Sequence, residues 1–123
     1  MSNELTRAII GAAIEVHRHI GPGLLEAIYE ECLVSELQQK GLKLSNQHSL
    51  PLTYKGKQLN SLYRLDLLVE GQVIVELKSV DHLSGLHKAQ LLTYLKLAKL
   101  RYGLLLNFNV PVMRQGVVRM LND

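Results

Sequence analysis

The chain has no tryptophan, one phenylalanine (Phe108) and one cysteine (Cys32). A lone cysteine excludes an intrachain disulfide and any zinc cluster built from several thiolates. Cys32 falls where a helical apolar face is expected and reads as a structural thiol. The shortage of Phe and Trp leaves little material for a platform that stacks single-stranded bases. No apolar run approaches the roughly 18 residues that a membrane helix needs. Met1-Ser2-Asn3-Glu4 has neither the basic n-region nor the apolar h-region of a secretory signal. A soluble, cytoplasmic protein with no membrane partner is expected. No repeat, low-complexity tract or linker interrupts the 123 residues, so a single domain over residues 1–123 is expected.

What is present is an ordinary globular composition, 47% hydrophobic and 20% charged, with a formal net charge of +3. That small surplus permits a nucleic-acid partner and does not require one. Leu5, Ile9, Ala12/Ala13 and Val16, widened by Ile10 and Ile14, recur at helical spacing and predict a helix that stops at Gly21-Pro22-Gly23. A second helix is expected from about Leu24 to Lys40, with Leu25, Ile28, Cys32 or Leu33 and Leu37 inward and Gly41 as its left-handed terminator. Lys43 to Tyr54 reads as an extended segment, its Pro51 suited to a sheet edge, followed by a turn at Lys55-Gly56-Lys57. Two stronger strands, Leu62 to Val69 and Gln72 to Lys78, flank Glu70-Gly71. Leu83 to Leu100 reads as a helix, with Leu86, Ala89, Leu91/Leu92, Leu95 and Ala98 at helical spacing and Asp81 or Ser84 as its cap. Gly103 to Phe108 reads as a strand covered on both faces, and Val117 to Met120 as a short last one. The order α-α-β-β-β-α-β, with a crossover helix before the fourth strand, predicts an α/β mixed sheet flanked by helices.

Chemistry concentrates in Arg64-Leu65-Asp66-Leu67 and in Val75-Glu76-Leu77-Lys78. Glu76 and Lys78, two apart on a strand, leave the same face. If the hairpin loop comprises Glu70 to Gln72, with Gly71 left-handed, Asp66 stands directly opposite Glu76, their Cβ atoms roughly 5 Å apart. A two-residue loop would set Asp66 opposite Val75 and send the carboxylates to opposite faces. Two carboxylates that close, on apolar strands, are costly without a cation. Mg²⁺ or Mn²⁺ suits the donors, with the Leu77 carbonyl as a further oxygen ligand. Such an ion would acidify a water and polarise a phosphoryl oxygen, while Lys78 orients the nucleophile or meets developing negative charge. The plain alternative is a solvated strand face carrying three ordinary charges.

These segments resemble the PD-(D/E)XK nuclease superfamily and, within it, the GxxExxY family. The resemblance is carried by Gly23-Leu24-Leu25-Glu26-Ala27-Ile28-Tyr29, with Val16-His17-Arg18, Gly21-Pro22-Gly23, Val75-Glu76-Leu77-Lys78, Tyr94-Leu95 and Leu106-Asn107-Phe108, and it covers almost the whole chain. It implies a restriction-endonuclease-like core. It implies Asp66 and Glu76 as acidic metal ligands, Lys78 as the catalytic lysine, and Glu26 as an additional acid, ligand or water-orienting group, from a helix. The proline that gives the superfamily its name is replaced by Leu65. Gln90-Leu-Leu-Thr-Tyr94 is similar to a Gln-x-x-x-Tyr signature of RecB-like nucleases. With His87 one turn earlier, it marks substrate-binding candidates on one helical face. Without the resemblance, Glu26 simply favours a helix dipole, Tyr29 and Tyr94 are half-buried aromatics, Gln90 is a surface amide, and His17 and His19 occupy surface or helix-terminal positions. The leading expectation is a Mg²⁺- or Mn²⁺-dependent nuclease acting on DNA, with RNA as the other substrate, through a metal-activated water. The alternative is a catalytically silent nucleic-acid-binding or protein-interaction module. So small a domain would draw on a homodimer or a partner subunit to grip a duplex.

Overall fold

A computed structural model describes residues 2–123, and the side chains from residue 4 onward. In chain order the elements are α1 (Ser2–Ile20), α2 (Glu26–Gln39), β1 (Leu44–Tyr54), β2 (Lys57–Val69), β3 (Val73–Lys78), α3 (Gly85–Ala98), β4 (Tyr102–Asn107), a 3₁₀ turn (Met113–Gly116) and β5 (Val117–Leu121). The five strands form one sheet in the order β1-β2-β3-β4-β5. β3 and β4 run parallel across the α3 crossover, and the other neighbours are antiparallel. This is the expected α/β restriction-endonuclease-like architecture, with Pro51 on the edge strand β1. Among the described residues no helix is long and apolar enough to cross a membrane.

Two cores lie on opposite faces of the sheet. α1 and α2 cover the first, where Ile9, Val16, Leu33 and Leu37 meet Leu67, Val75, Leu77, Leu104 and Leu106. α3 covers the second, where Leu91, Tyr94 and Leu95 meet Leu50, Leu65, Ile74 and Leu105. β3 alternates between them, odd residues to the first core and even residues to the second, as its pleat requires.

Helix faces depart from the sequence expectation in three places. On α2, Leu25 and Ile28 are exposed and the buried stripe is Tyr29, Leu33 and Leu37. Tyr29 sets it: its ring stacks on Phe108 at 4.5 Å, and its hydroxyl donates to the Gly21 carbonyl while accepting from the Leu24 N–H. On α3, Leu86 and Ala89 are exposed and Tyr94 is buried beside Leu91 and Leu95. On α1, Ile14 is exposed, whereas His17 is buried, its Nε2 2.8 Å from the Val110 carbonyl, which ties the end of the helix to the chain beyond β4. Ser84, not Asp81, caps α3: its hydroxyl accepts from the His87 N–H while His87 Nδ1 accepts from the Ser84 N–H.

Gly116, buried in the 3₁₀ turn, has no room for a side chain, because a Cβ there would collide with the carbonyl oxygen of Asn107. Gly116→Ala should therefore cost about 1–3 kcal/mol through forced backbone displacement. The urea midpoint should fall with an unchanged m-value; an unaltered midpoint would mean that this turn yields freely.

Candidate active site

The β2–β3 hairpin has the register that brings the acids together. Val69 pairs with Val73, Leu68 with Ile74 and Leu67 with Val75, around a loop of Glu70, Gly71 and Gln72. Gly71 is left-handed as expected, and Glu70 is as well. Glu70 holds that conformation through Lys43, donating its N–H to the Lys43 carbonyl and accepting the Lys43 N–H on its carboxylate.

Backbone pairing then stops at Asp66. The β2–β3 ladder ends at Leu67 and Val75, and the β1–β2 ladder skips from Asn46↔Leu67 to His48↔Leu65. The side chains fill the gap. The Asp66 N–H donates to Glu76 Oε2 at 2.8 Å, and the Leu77 N–H donates to Asp66 Oδ2 at 2.9 Å. Each carboxylate thus accepts the backbone hydrogen bond that a neighbouring carbonyl would otherwise take. The strand also rotates here: Leu67 packs in the α1/α2 core and Leu65, two residues away, in the α3 core. Because N–H and C=O of one residue leave a strand on the same edge, the Leu77 carbonyl faces β2, as its N–H does.

Glu76 is 5% exposed. Burial, reinforced by the charge of Asp66, pushes its carboxyl up to about 8, while the Asp66 N–H and Lys78 oppose the shift. Lys78 is half-buried and, among the described residues, forms no ion pair. Its strand end is clamped: the Lys78 carbonyl accepts from the Phe108 N–H, and the Asn107 amide bonds both the N–H and the carbonyl of Val80.

The two acids of α2 stand differently. Glu26 is exposed, and its carboxylate accepts weakly, at 3.4 Å, from the Ser79 N–H just beyond Lys78. The Ser79 hydroxyl donates to the Leu24 carbonyl, so the loop before α2 is fastened to the end of β3. Glu30, one turn on, is joined to the acid pair by Gln47, whose amide donates to Glu30 Oε1 at 2.9 Å and to Asp66 Oδ1 at 3.4 Å. Burial and the charge of Asp66 raise the carboxyl of Glu30. Gln47 takes a left-handed conformation, φ 49°, opposite Asp66, where an ordinary strand residue would have continued the ladder.

The α3 residues also separate. Tyr94 is buried against Tyr63, ring centroids 4.3 Å apart, with its hydroxyl unpartnered among the described residues. Burial, Tyr63 and the negative charges of Glu76 and Asp66 all raise its pKa and keep it protonated. Gln90 is exposed, and His87 spends its Nδ1 on the helix cap.

Glu30, Gln47, Ser79 and Asn107 escaped the sequence reading as site components. Two carried a signal: Glu30 lies one turn beyond Glu26 on the same helix, and Asn107 is the single polar residue in the Gly103–Phe108 run.

Among the described residues no three His, Cys, Asp or Glu side chains are arranged to hold a metal ion. The donors fit a hard divalent cation nonetheless, since such an ion needs only one or two carboxylates and completes its shell with waters and substrate oxygens. A carboxylate pair of which Glu76 is buried and Asp66 half-buried, with no ion-paired cation among the described residues, is the electrostatic complement of that charge.

A mixed sheet covered by helices on both faces, with acids and a lysine where two strands part, defines the class of restriction-endonuclease-like domains. The chain belongs to the PD-(D/E)XK nuclease superfamily, whose family model matches residues 3–120. No curated protein and no solved structure matches it.

The raised pKa of Glu76 predicts the pH dependence of stability. Between the unfolded carboxyl value near 4.5 and about 8 the folded state holds a proton that the unfolded state lacks, so stability should fall as pH rises through that window. Glu76→Gln, which removes the titration, should flatten the urea-midpoint profile over the same range. Parallel profiles for parent and variant would show that Glu76 is not the group responsible.

Proposed function

We propose that the chain is a divalent-metal-dependent nuclease that hydrolyses phosphodiester bonds in DNA, with Asp66, Glu76 and Lys78 as its catalytic residues. The carrying observation is the interlocked pair of half-buried Asp66 and buried Glu76, the latter two residues from Lys78, in a member of a nuclease superfamily. Asp66, Glu76 and the Leu77 carbonyl would hold Mg²⁺ or Mn²⁺. Glu30 or Glu26 would add a further carboxylate from α2, directly or through a water. A cation bound there supplies positive charge against the phosphate and lowers the pKa of water.

The protein's own groups supply the rest. The backbone N–H groups of Asp66 and Leu77 orient the two carboxylates before substrate arrives, so little reorganisation remains for the reaction step. The ammonium of Lys78, on the same strand face as Glu76, donates to the attacking water or to the phosphoryl oxygens as charge builds. Of the α3 candidates for substrate contact, Gln90 is at the surface, His87 keeps only its Nε2 free of the helix cap, and Tyr94, inside the core, would act from beneath the site. Gly23, Glu26 and Tyr29 support a place among the GxxExxY proteins; here Tyr29 closes the loop before α2 on Gly21, and Ser79 fastens that loop to the end of β3. The small size of the domain favours a homodimer or a partner subunit on a long duplex.

Purified protein incubated with single- and double-stranded DNA and RNA, with and without Mg²⁺ or Mn²⁺, should cleave DNA only with metal. Glu76→Ala and Lys78→Ala should lower the rate by orders of magnitude with the fold retained. Equal cleavage by parent and variants would identify a contaminant and sink the proposal. Independently of activity, Mn²⁺ should raise the parent's melting temperature, by about 2.7 kcal/mol of stability at a hundredfold excess over Kd. That rise should vanish in the double variant Asp66→Asn, Glu76→Gln.

A further inference from the structure

We propose that the outer part of the β1–β2 hairpin is an arm that grips duplex DNA beside the acid pair. The inference rests on the nuclease reading and names the substrate form. β3 pairs with β2 only at Leu67, Leu68 and Val69, whereas β1 stays paired with β2 as far as Tyr54↔Lys57. From Leu65 outward, among the described residues, β2 has β1 as its only strand partner, so the hairpin continues as a two-stranded ribbon. Its stem packs on α3 through Leu50, Tyr63 and Leu65, but nothing from Pro51 to Leu62 enters either core. At about 3.3 Å per residue the arm reaches roughly 20–25 Å beyond Asp66.

The arm carries charge of one sign. Between Glu36 and Asp66 stand Lys40, Lys43, Lys55, Lys57 and Arg64, with no Asp or Glu. Lys55, Lys57 and Arg64 are exposed, two of them at the tip. The tip is a tight turn with φ of 49° at Lys55 and 80° at Gly56, so both lysines sit on a narrow end. Lys55 Nζ lies 5.4 Å from the ring centre of Tyr54, itself exposed. Along the shaft Ser49, Thr53, Gln58, Asn60 and Ser61 are exposed polar groups, with Leu62 the large exposed apolar residue among them. Two residues of β2 are looped out between the Pro51↔Leu62 and Thr53↔Gln58 pairs, a bulge that bends the ribbon.

A basic ribbon with polar sides is the complement of a polyanion. The major groove of B-form DNA, about 12 Å wide, admits a two-stranded ribbon, whereas the deep, narrow major groove of duplex RNA does not. A single strand would want a row of stacking aromatics, and the tip offers Tyr54 alone. Strand addition by a protein partner is opposed by Pro51, which removes a donor from the free edge of β1. The geometry therefore points to DNA duplex held by the arm at the point where β2 delivers Asp66.

The test uses Glu76→Gln protein, so that substrate is not consumed. Fluorescence anisotropy would follow a labelled DNA duplex, the same sequence as duplex RNA, and its single strand, between roughly 50 and 200 mM salt. Adding Lys55→Ala and Lys57→Ala should weaken duplex-DNA binding roughly 10- to 100-fold and lower the log–log salt slope by about 1.8. The Lys55→Arg, Lys57→Arg counterpart should retain both affinity and slope. The melting temperature of either pair should match the parent's, since neither lysine belongs to a core. An unchanged slope in the alanine variant overturns the arm while leaving a cleaving parent protein a nuclease. Duplex RNA bound as tightly as DNA overturns the groove assignment and with it the arm. Failure of the parent to bind or cleave any nucleic acid sinks both readings together.

Discussion

Two carboxylates that share one opening in a sheet, Glu76 buried and Asp66 half-buried, are the constraint on which the rest of this structure turns. Strand pairing normally consumes every N–H along β2 and β3, yet at Asp66 the carbonyl acceptors give way to the side chains of Asp66 and Glu76. Each hydrogen bond stabilises an ionised carboxylate and so opposes the cost of burying it, but the opposition is incomplete. Glu76 keeps a carboxyl pushed up to about 8, because burial and Asp66 together outweigh one backbone N–H and a lysine that forms no ion pair. A fold that maximised stability would place Leu or Val at both positions. That charged residues stand here, in the apolar centre of the sheet, is a local departure from good packing of the kind found at functional sites.

The surrounding structure holds that opening in shape. α2 approaches it twice, through Glu30 and Gln47 at Asp66 and through Glu26 and Ser79 at the end of β3. The Gly21–Leu24 loop is closed on the Tyr29 hydroxyl, and the Tyr29 ring is pressed on Phe108, next to the Asn107 amide that clamps Val80. Such a stacked pair is worth about 0.5–1.5 kcal/mol beyond the area it buries. Its larger consequence is positional: the residues on either side of Lys78 are fixed from α2 and from β4, so the lysine cannot drift relative to the carboxylates.

Much of this was legible in the residues. Strand period, turn glycines and the crossover helix specify the mixed sheet, and a loop of Glu70 to Gln72 specifies the register that brings Asp66 beside Glu76. The faces of α2 and α3 were harder to read because both helices carry apolar residues nearly all round. Leu25, Ile28 and Leu86 are as hydrophobic as the residues that are buried, and only tertiary partners, Phe108 for Tyr29 and Tyr63 for Tyr94, decide which side turns inward. Gln47 was invisible for another reason. Nothing about a glutamine in an extended polar segment announces a left-handed backbone; the demand comes from Asp66 across the ladder, a long-range contact that no local pattern encodes. The rotation of β2 at Asp66 likewise defeats strict alternation, since Leu65 and Leu67 end in different cores.

The proton on Glu76 links these observations to chemistry. Near neutral pH a carboxyl pushed up to about 8 is largely protonated, so Glu76 adds little negative charge to the opening. On the proposed reading, a divalent cation entering the opening would displace that proton, and binding would then be coupled to proton release. The same burial that raises the carboxyl also strengthens its attraction for the cation once the proton has gone, because both effects follow from poor solvation of the charge. Metal affinity should accordingly rise with pH over the interval in which the metal-free fold loses stability. Empty and ionised is the costliest state of the opening, and a cation held there as proposed would relieve it.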